Sequence, residues 1–133
     1  MAGIKSKNTK PELIVRKDLH SRGFRFRLHR RDLPGRPDIV MPKYRTAIFV
    51  HGCFWHGHDC RTFKWPKTRE DFWRTKIEGN RSRDAAALAE LTELGWHVEF
   101  IWECDLRTNA VRAQRTLSAL ADRIRSHRGQ SNA

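Results

Sequence analysis

The sequence predicts a small α/β domain with a mixed sheet flanked by helices, and three observations support this class. The 133 residues suit a single core, which is small because 38% of them are hydrophobic and 32% are charged. Short apolar runs that predict strands alternate with longer segments of helical periodicity. The sequence shows no internal repeat, no linker and no apolar run of the ~18 residues that a membrane span needs. We therefore expect a single domain over residues 1–133, with flexible ends at 1–8 and 127–133.

The N-terminal half is predicted to hold one helix and three strands. Thr9 and Glu12 form a capping-box pattern ahead of apolar residues, so a helix is expected over about 9–22, with Gly23 as its natural end. Alternation predicts a half-buried strand, a Pro- and Gly-rich stretch predicts a turn, and two short apolar runs predict a hairpin. In chain order these are the strand 24–28, the turn 32–37, and the strands 38–41 and 46–50.

The C-terminal half is predicted to contain a loop, three helices and one strand. Residues 51–70 lack periodicity and are expected to form the loop. The elements that follow are helices over 70–79 and 83–94, a strand over 96–102, and a last helix capped by Thr108 or Asn109, with Val111, Leu117, Leu120 and Ile124 on its apolar face. Alternation along the strand places His97 and Glu99 toward solvent.

The net charge of +12 and the pI of about 10.6 favour a polyanionic partner, most simply nucleic acid. Ten Lys and Arg residues fall within the first 31 positions. A generic solvated basic surface is the alternative, and charge does not distinguish DNA from RNA. The N-terminus lacks the apolar stretch of a secretory signal, so a cytoplasmic location is expected.

Residues 51–60 concentrate metal-ligand chemistry, with two cysteines and three histidines in ten positions. Together with a cysteine just past the predicted strand 96–102, the segment supplies three thiols and one imidazole, a complete tetrahedral set for one Zn²⁺ ion. These four residues are Cys53, His58, Cys60 and Cys104. Because such a set leaves no open position for water, the predicted zinc site is structural. Buried free cysteines are the alternative.

A second set of residues suits hydrolysis of an anionic substrate. Asp38 begins a predicted strand, and the hairpin would bring it near residues 49–51, where a hard cation such as Mg²⁺ finds oxygen ligands. His51 and His56 lie outside the zinc set and suit hydrogen bonding to metal-bound water or proton transfer near neutral pH. Each residue also has a plainer interpretation: Asp38 as a turn residue, His51 as a strand-edge residue, and Glu12 as the N3 member of the capping box.

These motifs closely resemble those of the very short patch repair (Vsr) DNA mismatch endonucleases, in the same order and through nearly the whole chain. The residues that carry the resemblance are Pro34 to Asp38, Ile48 to Cys60, Phe72 and Trp73, Gly95 and Trp96, and Trp102 to Cys104. The resemblance implies a restriction-endonuclease-like fold with a degenerate form of the PD-(D/E)xK motif. Phe49, Val50 and His51 stand where (D/E)xK would be, so one carboxylate remains.

The resemblance also implies roles for individual residues. Asp38 would bind two catalytic Mg²⁺ ions, with the backbone carbonyl of Val50 as a further ligand. His51 and His56 would act through metal-bound water, and Glu12 would reach the active site from the first helix, a role that competes with capping. The residues that match the family's structural zinc ligands are Cys53, His58, Cys60 and Cys104.

The substrate implied by the resemblance is duplex DNA with a T:G mismatch, nicked on the 5′ side of the mispaired thymine. Phe54, Trp55 and Trp73 would insert at the mismatch. Unstacking the bases costs a few kcal/mol, and each base stacked on an aromatic ring contributes about 1–3 kcal/mol to binding. Core packing is the alternative, above all for Trp73. The basic candidates for DNA contact are Lys5, Lys7, Lys10 and Arg36.

The expected state is a monomer in the bacterial cytoplasm, associated with the nucleoid when bound to DNA, and mismatch-repair proteins stay open as further partners. Family members commonly begin with an additional basic, polar segment ahead of the position of Met1. Either the start of this sequence is misassigned, or the protein holds DNA less tightly, with lower affinity or looser specificity. Two other functions stay open: a non-catalytic, zinc-stabilised DNA-binding module, and a nuclease of the same fold that acts on other lesions or on matched DNA.

Overall fold

The computed structural model describes residues 9–53 and 64–127, and within them it confirms the predicted class, a small α/β domain with a mixed sheet and flanking helices. None of the helices in these ranges is both long and apolar enough to cross a membrane. The elements in chain order are α1 (Lys10–Ser21), β1 (Arg27–Leu28), β2 (Ile39–Met41), a 3₁₀ turn (Pro42–Tyr44), β3 (Thr46–His51), α2 (Glu70–Glu93), β4 (His97–Trp102), α3 (Glu103–Arg107) and α4 (Ala110–His127).

The sheet is mixed because it combines antiparallel and parallel neighbours in the order β1-β2-β3-β4. β1 pairs antiparallel with β2, and β2 and β3 form the predicted antiparallel hairpin. β3 and β4 run parallel, from Thr46 opposite His97 to His51 opposite Trp102. Parallel neighbours need a long crossover between them, and that crossover includes α2. The carboxyl ends of β3 and β4 therefore lie side by side.

Helices cover both faces of the sheet, because side chains alternate between the faces along each strand. One face, which includes Ile39 and Ile48, packs against α1 and α4. The other face, which includes Val40 and Phe49, packs against Ala87 of α2 and its neighbours. Burial on both faces explains why β2 and β3 read as continuous apolar runs rather than as alternating ones.

The prediction of two helices over 70–79 and 83–94 is wrong, since α2 is one helix of 24 residues. The polar middle around Gly79 suggested a break. The structure instead shows a half-buried or buried seam at helical spacing, made of Trp73, Ile77, Asn80, Asp84, Ala87 and Leu91. Packing of this seam maintains the helix through residues of low intrinsic propensity, because tertiary contacts outweigh propensity.

One prediction in the other elements is correct only in part, and one is confirmed. Residues 24–28 keep the predicted alternation in the burial of Phe24 and Phe26, but ladder pairing is confined to Arg27–Leu28, and both of these residues are exposed. The last helix begins as predicted, with the Arg112 backbone N–H donating to Asn109 Oδ1 at 2.8 Å.

Three residues near the C-terminal end differ from expectation. Val111 is exposed, because it lies off the stripe formed by the other three predicted apolar residues of α4. Glu99, expected in solvent, is buried and accepts hydrogen bonds from the Arg123 guanidinium at 2.9–3.1 Å. α4 includes His127, whose ring stacks on His97, so the helix continues one residue into the segment expected to be flexible.

Candidate active site

Asp38 lies immediately before β2, where the hairpin holds its carboxylate against β3. The Val50 backbone N–H donates to Asp38 Oδ2 at 2.7 Å, and the backbone carbonyl of Asp38 accepts from the His29 N–H at 3.1 Å. The hairpin therefore brings Asp38 to Val50, as its strand lengths predicted. The observed contact uses the Val50 N–H, so the predicted role of the Val50 carbonyl as a metal ligand stays a prediction.

Glu12 joins this end of the sheet from α1. Its backbone N–H donates to the Thr9 hydroxyl at 3.4 Å, which completes the predicted N-terminal cap. Its side chain is only 2% exposed, with Oε2 at 2.8 Å from His29 Nε2 and 3.4 Å from Arg16 Nη2. The main chain of Glu12 thus takes part in the cap while its carboxylate contacts His29 and Arg16, and its role in the active site stays a prediction.

Glu12, His29 and Asp38 form a cluster whose ligand atoms all lie within 4.8 Å of one another. Burial raises the pKa of Asp38 to about 7, the neighbouring Glu12 carboxylate adds to the rise, and the Val50 N–H and Arg16 oppose it. Two crowded carboxylates with too little compensating positive charge bind either a proton or a cation. The oxygen donors therefore fit the Mg²⁺ site predicted at Asp38.

His51 ends β3 in a buried aromatic surrounding. Its ring lies 5.1 Å from Phe100 and 5.0 Å from Trp102, measured between ring centroids. His51 Nε2 lies 3.7 Å from Asp84 Oδ1 of α2. Asp84 therefore lies within ion-pair distance of the His51 imidazole but beyond hydrogen-bond distance. The catalytic role of His51 stays a prediction.

The Gly-Arg-Pro turn that precedes Asp38 packs against α2. Gly35 has φ of +75°, and a Cβ placed on it would lie 2.6 Å from the Cβ of Ala87 and 3.1 Å from the Phe49 ring. Glycine is required there both by the left-handed backbone and by the close approach of the helix. The turn is thereby fixed between β3 and α2, which fixes the position at which Asp38 enters β2.

Two of the four predicted zinc ligands meet at the carboxyl ends of β3 and β4. Cys53 and Cys104 are both buried, and the Cys104 backbone N–H donates to Cys53 Sγ at 3.4 Å. The Arg112 guanidinium lies 3.9 Å from Cys104 Sγ. Two buried sulfurs brought together at the strand ends are the kind of ligands that Zn²⁺ takes, and N–H donors beside them are typical outer contacts of such a site, so the pair fits the predicted Zn²⁺ site.

Several predicted site residues lie outside the described ranges. They are His56, His58, Cys60, Phe54, Trp55, Lys5 and Lys7. Trp73 is described, and it is half-buried on the first half of α2 with its ring in an edge contact with Phe72. Lys10 and Arg36 are exposed, as a contact with DNA requires. Their roles in the site stay predictions.

The structure adds two functional candidates that the sequence analysis missed. His29 follows the short strand β1 within a run of basic residues, and no motif or spacing distinguishes it. Asp84 had a detectable signal, because it stands at helical spacing from Ile77 and Ala87 on the inner seam of α2. An acidic residue in an otherwise packed seam indicates a partner on the facing strand, and that partner is His51.

Comparisons with known proteins find relatives that match most of the chain. A profile of the family described as DNA mismatch endonuclease Vsr matches residues 1–62, which include Glu12, His29, Asp38 and His51. The type II nicking enzyme V.XorIIP of Xanthomonas oryzae pv. oryzae is 58% identical over 106 residues, which cover 80% of this chain and 78% of that protein.

Two further relatives extend the match over most of the chain. The DNA mismatch endonuclease Vsr of Escherichia coli (strain K12) is 44% identical over 124 residues, covering 93% of this chain and 78% of that protein. The type II nicking enzyme V.HpaIIP of Haemophilus parainfluenzae is 40% identical over 109 residues, covering 81% of this chain and 77% of that protein.

Proposed function

This chain belongs to the Vsr family of DNA mismatch endonucleases, and from that premise we propose that it nicks the thymine-containing strand of a T:G mismatch, 5′ to the thymine, in a Mg²⁺-dependent reaction. The cluster of Glu12 and Asp38 carries this proposal, because a buried carboxylate from α1 and a half-buried one just before β2 provide the anionic oxygens that a catalytic Mg²⁺ needs. The activity itself, DNA endonuclease, follows from the family.

The names of the relatives support the finer parts of the proposal. The Xanthomonas oryzae and Haemophilus parainfluenzae relatives are named nicking enzymes, which is consistent with cleavage of one strand. The Escherichia coli relative is named a mismatch endonuclease, which is consistent with a mispaired substrate. The choice of T:G and of the thymine strand comes from the resemblance of the motifs.

The proposed reaction is hydrolysis of a phosphodiester by water, leaving a 5′-phosphate and a 3′-hydroxyl. Bound Mg²⁺ would supply Lewis-acid stabilisation of the charge that develops on the phosphate oxygens. Asp38 and Glu12 would hold the ions, up to two, with the Val50 carbonyl as a further oxygen. Asp84 would orient the His51 imidazole, so that His51, with His56, can accept or hold a proton at the attacking water.

Recognition of the mismatch would combine charge with stacking. The net charge of +12 attracts the DNA backbone, and the exposed Lys10 and Arg36 lie on the described surface. Phe54, Trp55 and Trp73 would wedge into the base stack, a step that is less costly at a mispair than at a matched pair. Selectivity for the mismatch would therefore come partly from the lower cost of deforming it.

A structural zinc completes the proposal. Cys53 and Cys104, which already meet at the strand ends, would bind one Zn²⁺ together with His58 and Cys60. A site filled by three thiolates and an imidazole has no position for water. Its function would be to fasten the segment after β3 to the end of β4, beside His51.

The decisive experiment is a nicking assay on paired duplexes that differ only in carrying T:G or T:A. Wild type should nick the T:G duplex in Mg²⁺ and not in EDTA, and Asp38→Ala should nick neither duplex. Asp122→Ala, which changes an exposed aspartate of α4, should behave as wild type. Equal nicking of T:A would indicate a nuclease of other specificity, and T:G binding without nicking by wild type would indicate a non-catalytic DNA-binding module.

A further inference from the structure

The Glu12–Asp38 cluster contains a nitrogen ligand that a Mg²⁺ site does not require. His29 Nε2 lies 2.8 Å from Glu12 Oε2, and it belongs to the three ligand atoms that fall within 4.8 Å of one another. Mg²⁺ prefers oxygen ligands, whereas imidazole nitrogen favours the first-row transition ions. The presence of an imidazole among the carboxylates therefore changes which cations the site selects.

We propose that His29 is a third protein ligand of the catalytic metal site, and that Glu12, His29 and Asp38 together bind a first-row transition ion such as Mn²⁺ in preference to Mg²⁺. The proposal rests on the proposed metal dependence of this same site and goes beyond it by naming a ligand and a selectivity. It predicts an enzyme whose cation preference is set by a residue outside the motifs that carry the family resemblance.

The spacing of the three groups suits a single ion. In an octahedral site with metal–ligand bonds of about 2.1 Å, adjacent ligand atoms lie about 3.0 Å apart and opposite ones about 4.2 Å apart. The 2.8 Å between His29 Nε2 and Glu12 Oε2 is close to the distance expected between adjacent ligands. All three ligand atoms lie within 4.8 Å of one another, a range that includes the distance between opposite ligands.

The backbone holds His29 where a ligand must be. The His29 N–H donates to the Asp38 carbonyl at 3.1 Å. This backbone hydrogen bond holds the two residues next to each other. His29 also has φ of +48°, a left-handed conformation that is uncommon for residues other than glycine.

Charge supports the same assignment. The carboxylates of Glu12 and Asp38 have ligand atoms within 4.8 Å of one another, so a divalent cation between them would offset the repulsion of two like charges. His29 has about a quarter of its side-chain surface exposed, which leaves an entry route for an ion from solvent. Glu12, by contrast, is enclosed and is fixed by Arg16 as well as by His29.

The test measures metal binding directly in zinc-replete protein, with Mn²⁺ and Mg²⁺ as probes. Calorimetry should give a tighter dissociation constant for Mn²⁺ than for Mg²⁺ in wild type. His29→Gln, which keeps a polar side chain, should weaken Mn²⁺ binding about 10-fold and leave Mg²⁺ binding nearly unchanged. His20→Gln, which changes an exposed histidine at the end of α1, should affect neither constant.

A spectroscopic measurement distinguishes a ligand from a positioning residue. Pulsed electron paramagnetic resonance of bound Mn²⁺ should show ¹⁴N coupling from a directly coordinated imidazole in wild type, and this coupling should disappear in His29→Gln. Persistence of the coupling in that variant, or its absence from wild type, would overturn the proposal. Equal loss of Mn²⁺ and Mg²⁺ affinity would overturn it as well, because His29 would then serve only to position Glu12.

The outcomes also separate this proposal from the proposed function. Wild type that binds Mg²⁺ and nicks T:G DNA, but shows no nitrogen coupling with Mn²⁺, would refute the role of His29 alone. Nicking that persists in EDTA, with no divalent cation bound to the Glu12–Asp38 cluster, would refute the metal dependence from which both proposals start. Circular dichroism of each variant establishes that it is folded before binding is measured.

Discussion

Burial in the folded protein favours the neutral form of the Asp38 carboxyl, whereas the proposed metal site needs the ionised form. The pKa of this carboxyl is about 7 in the folded protein, chiefly because of burial, against 3.8 as the ordinary value. Between these pH values the folded state keeps a proton that the unfolded state has released. The stability that this proton contributes is fully present below about 3.8 and is lost as pH rises through about 7.

We therefore expect the free energy of unfolding in Mg²⁺-free buffer to fall as pH rises from about 4 to about 7, and Asp38→Asn to remove most of that fall. The amide keeps the shape of the side chain without its charge, so the variant should be more stable than wild type at pH 8 while its nicking falls by about 10³-fold or more. Urea unfolding at pH 5 and pH 8 measures the first effect. The exposed Asp122→Asn should keep the wild-type slope, and a wild-type slope in Asp38→Asn would contradict the assignment.

His51 depends on Asp84, a contact between β3 and α2. Asp84→Asn should lower the rate of nicking by about 10-fold with little effect on DNA affinity, because the amide cannot stabilise a protonated imidazole. Single-turnover nicking and a DNA-binding titration separate the two quantities. Glu90→Gln, an exposed acid on the same helix, serves as the matched control. A rate unchanged by Asp84→Asn would mean that the 3.7 Å contact does not orient His51.

At the scale of residues, the hairpin predicted the contact of Asp38, and the family resemblance implied the approach of Glu12. Neither indicated His29 or Asp84. Asp38 was predictable because two strands of known length place it opposite residues 49–51. His29 was not, since its approach to Glu12 depends on how α1 packs against the end of β1. Side chains brought together by packing of separate elements leave no local pattern in the sequence.

At the scale of elements, the continuity of α2 leads to a test with two glycines. Gly79 lies inside the helix, and a Cβ there would lie no closer than 3.6 Å to the mobile end of Arg83. Gly79→Ala should stabilise the protein by about 0.5–1 kcal/mol, because alanine is the better helix former. Gly35→Ala should destabilise it by about 1–3 kcal/mol, since it meets Ala87 in a left-handed backbone.

Thermal unfolding of the two variants measures both changes in stability, the expected increase for Gly79→Ala and the expected decrease for Gly35→Ala. The comparison is informative because a helix that ended at Gly79, as predicted from the sequence, would make its replacement unfavourable. A destabilised Gly79→Ala would therefore argue against a continuous α2. An unaffected Gly35→Ala would mean that the turn ahead of Asp38 is not fixed by its contact with the helix.

Element boundaries show where local patterns stop being sufficient. The strands β2, β3 and β4 were predicted within a residue or two, because each is a buried run with a distinct composition. α3 was missed because its five residues are too short to show helical periodicity. Glu99 was expected in solvent because alternation describes a half-exposed strand, whereas α4 covers this one and supplies Arg123 as a partner.

At the scale of the whole molecule, the fold class and the mixed sheet were predictable, but no sequence pattern indicated the parallel pairing of β3 with β4. Predicting that pairing requires knowing which strand β4 joins after the crossover. The pairing matters for function because it sets His51 beside Trp102 and brings Cys53 to Cys104. Both the proposed catalytic histidine and the proposed zinc site thus depend on one strand register.

The purified protein should contain about one zinc ion per chain, measured by atomic emission. Cys104→Ser should lose this ion and lower the free energy of unfolding by more than about 3 kcal/mol, because structural zinc is a large share of the stability of a small domain. A strong chelator should destabilise wild type to a similar extent and leave Cys104→Ser unchanged. Zinc-free wild type with an undiminished unfolding midpoint would contradict the site.

The strand register and the two cysteines share a kinetic consequence. Pairing of Thr46 with His97 and the contact of Cys53 with Cys104 each join positions 51 residues apart. Either one closes the same long loop of chain, and the entropy of that closure is lost only once. Refolding should therefore be limited by a single distant encounter. An ion captured by both sulfurs in the unfolded chain would shorten the search for that encounter.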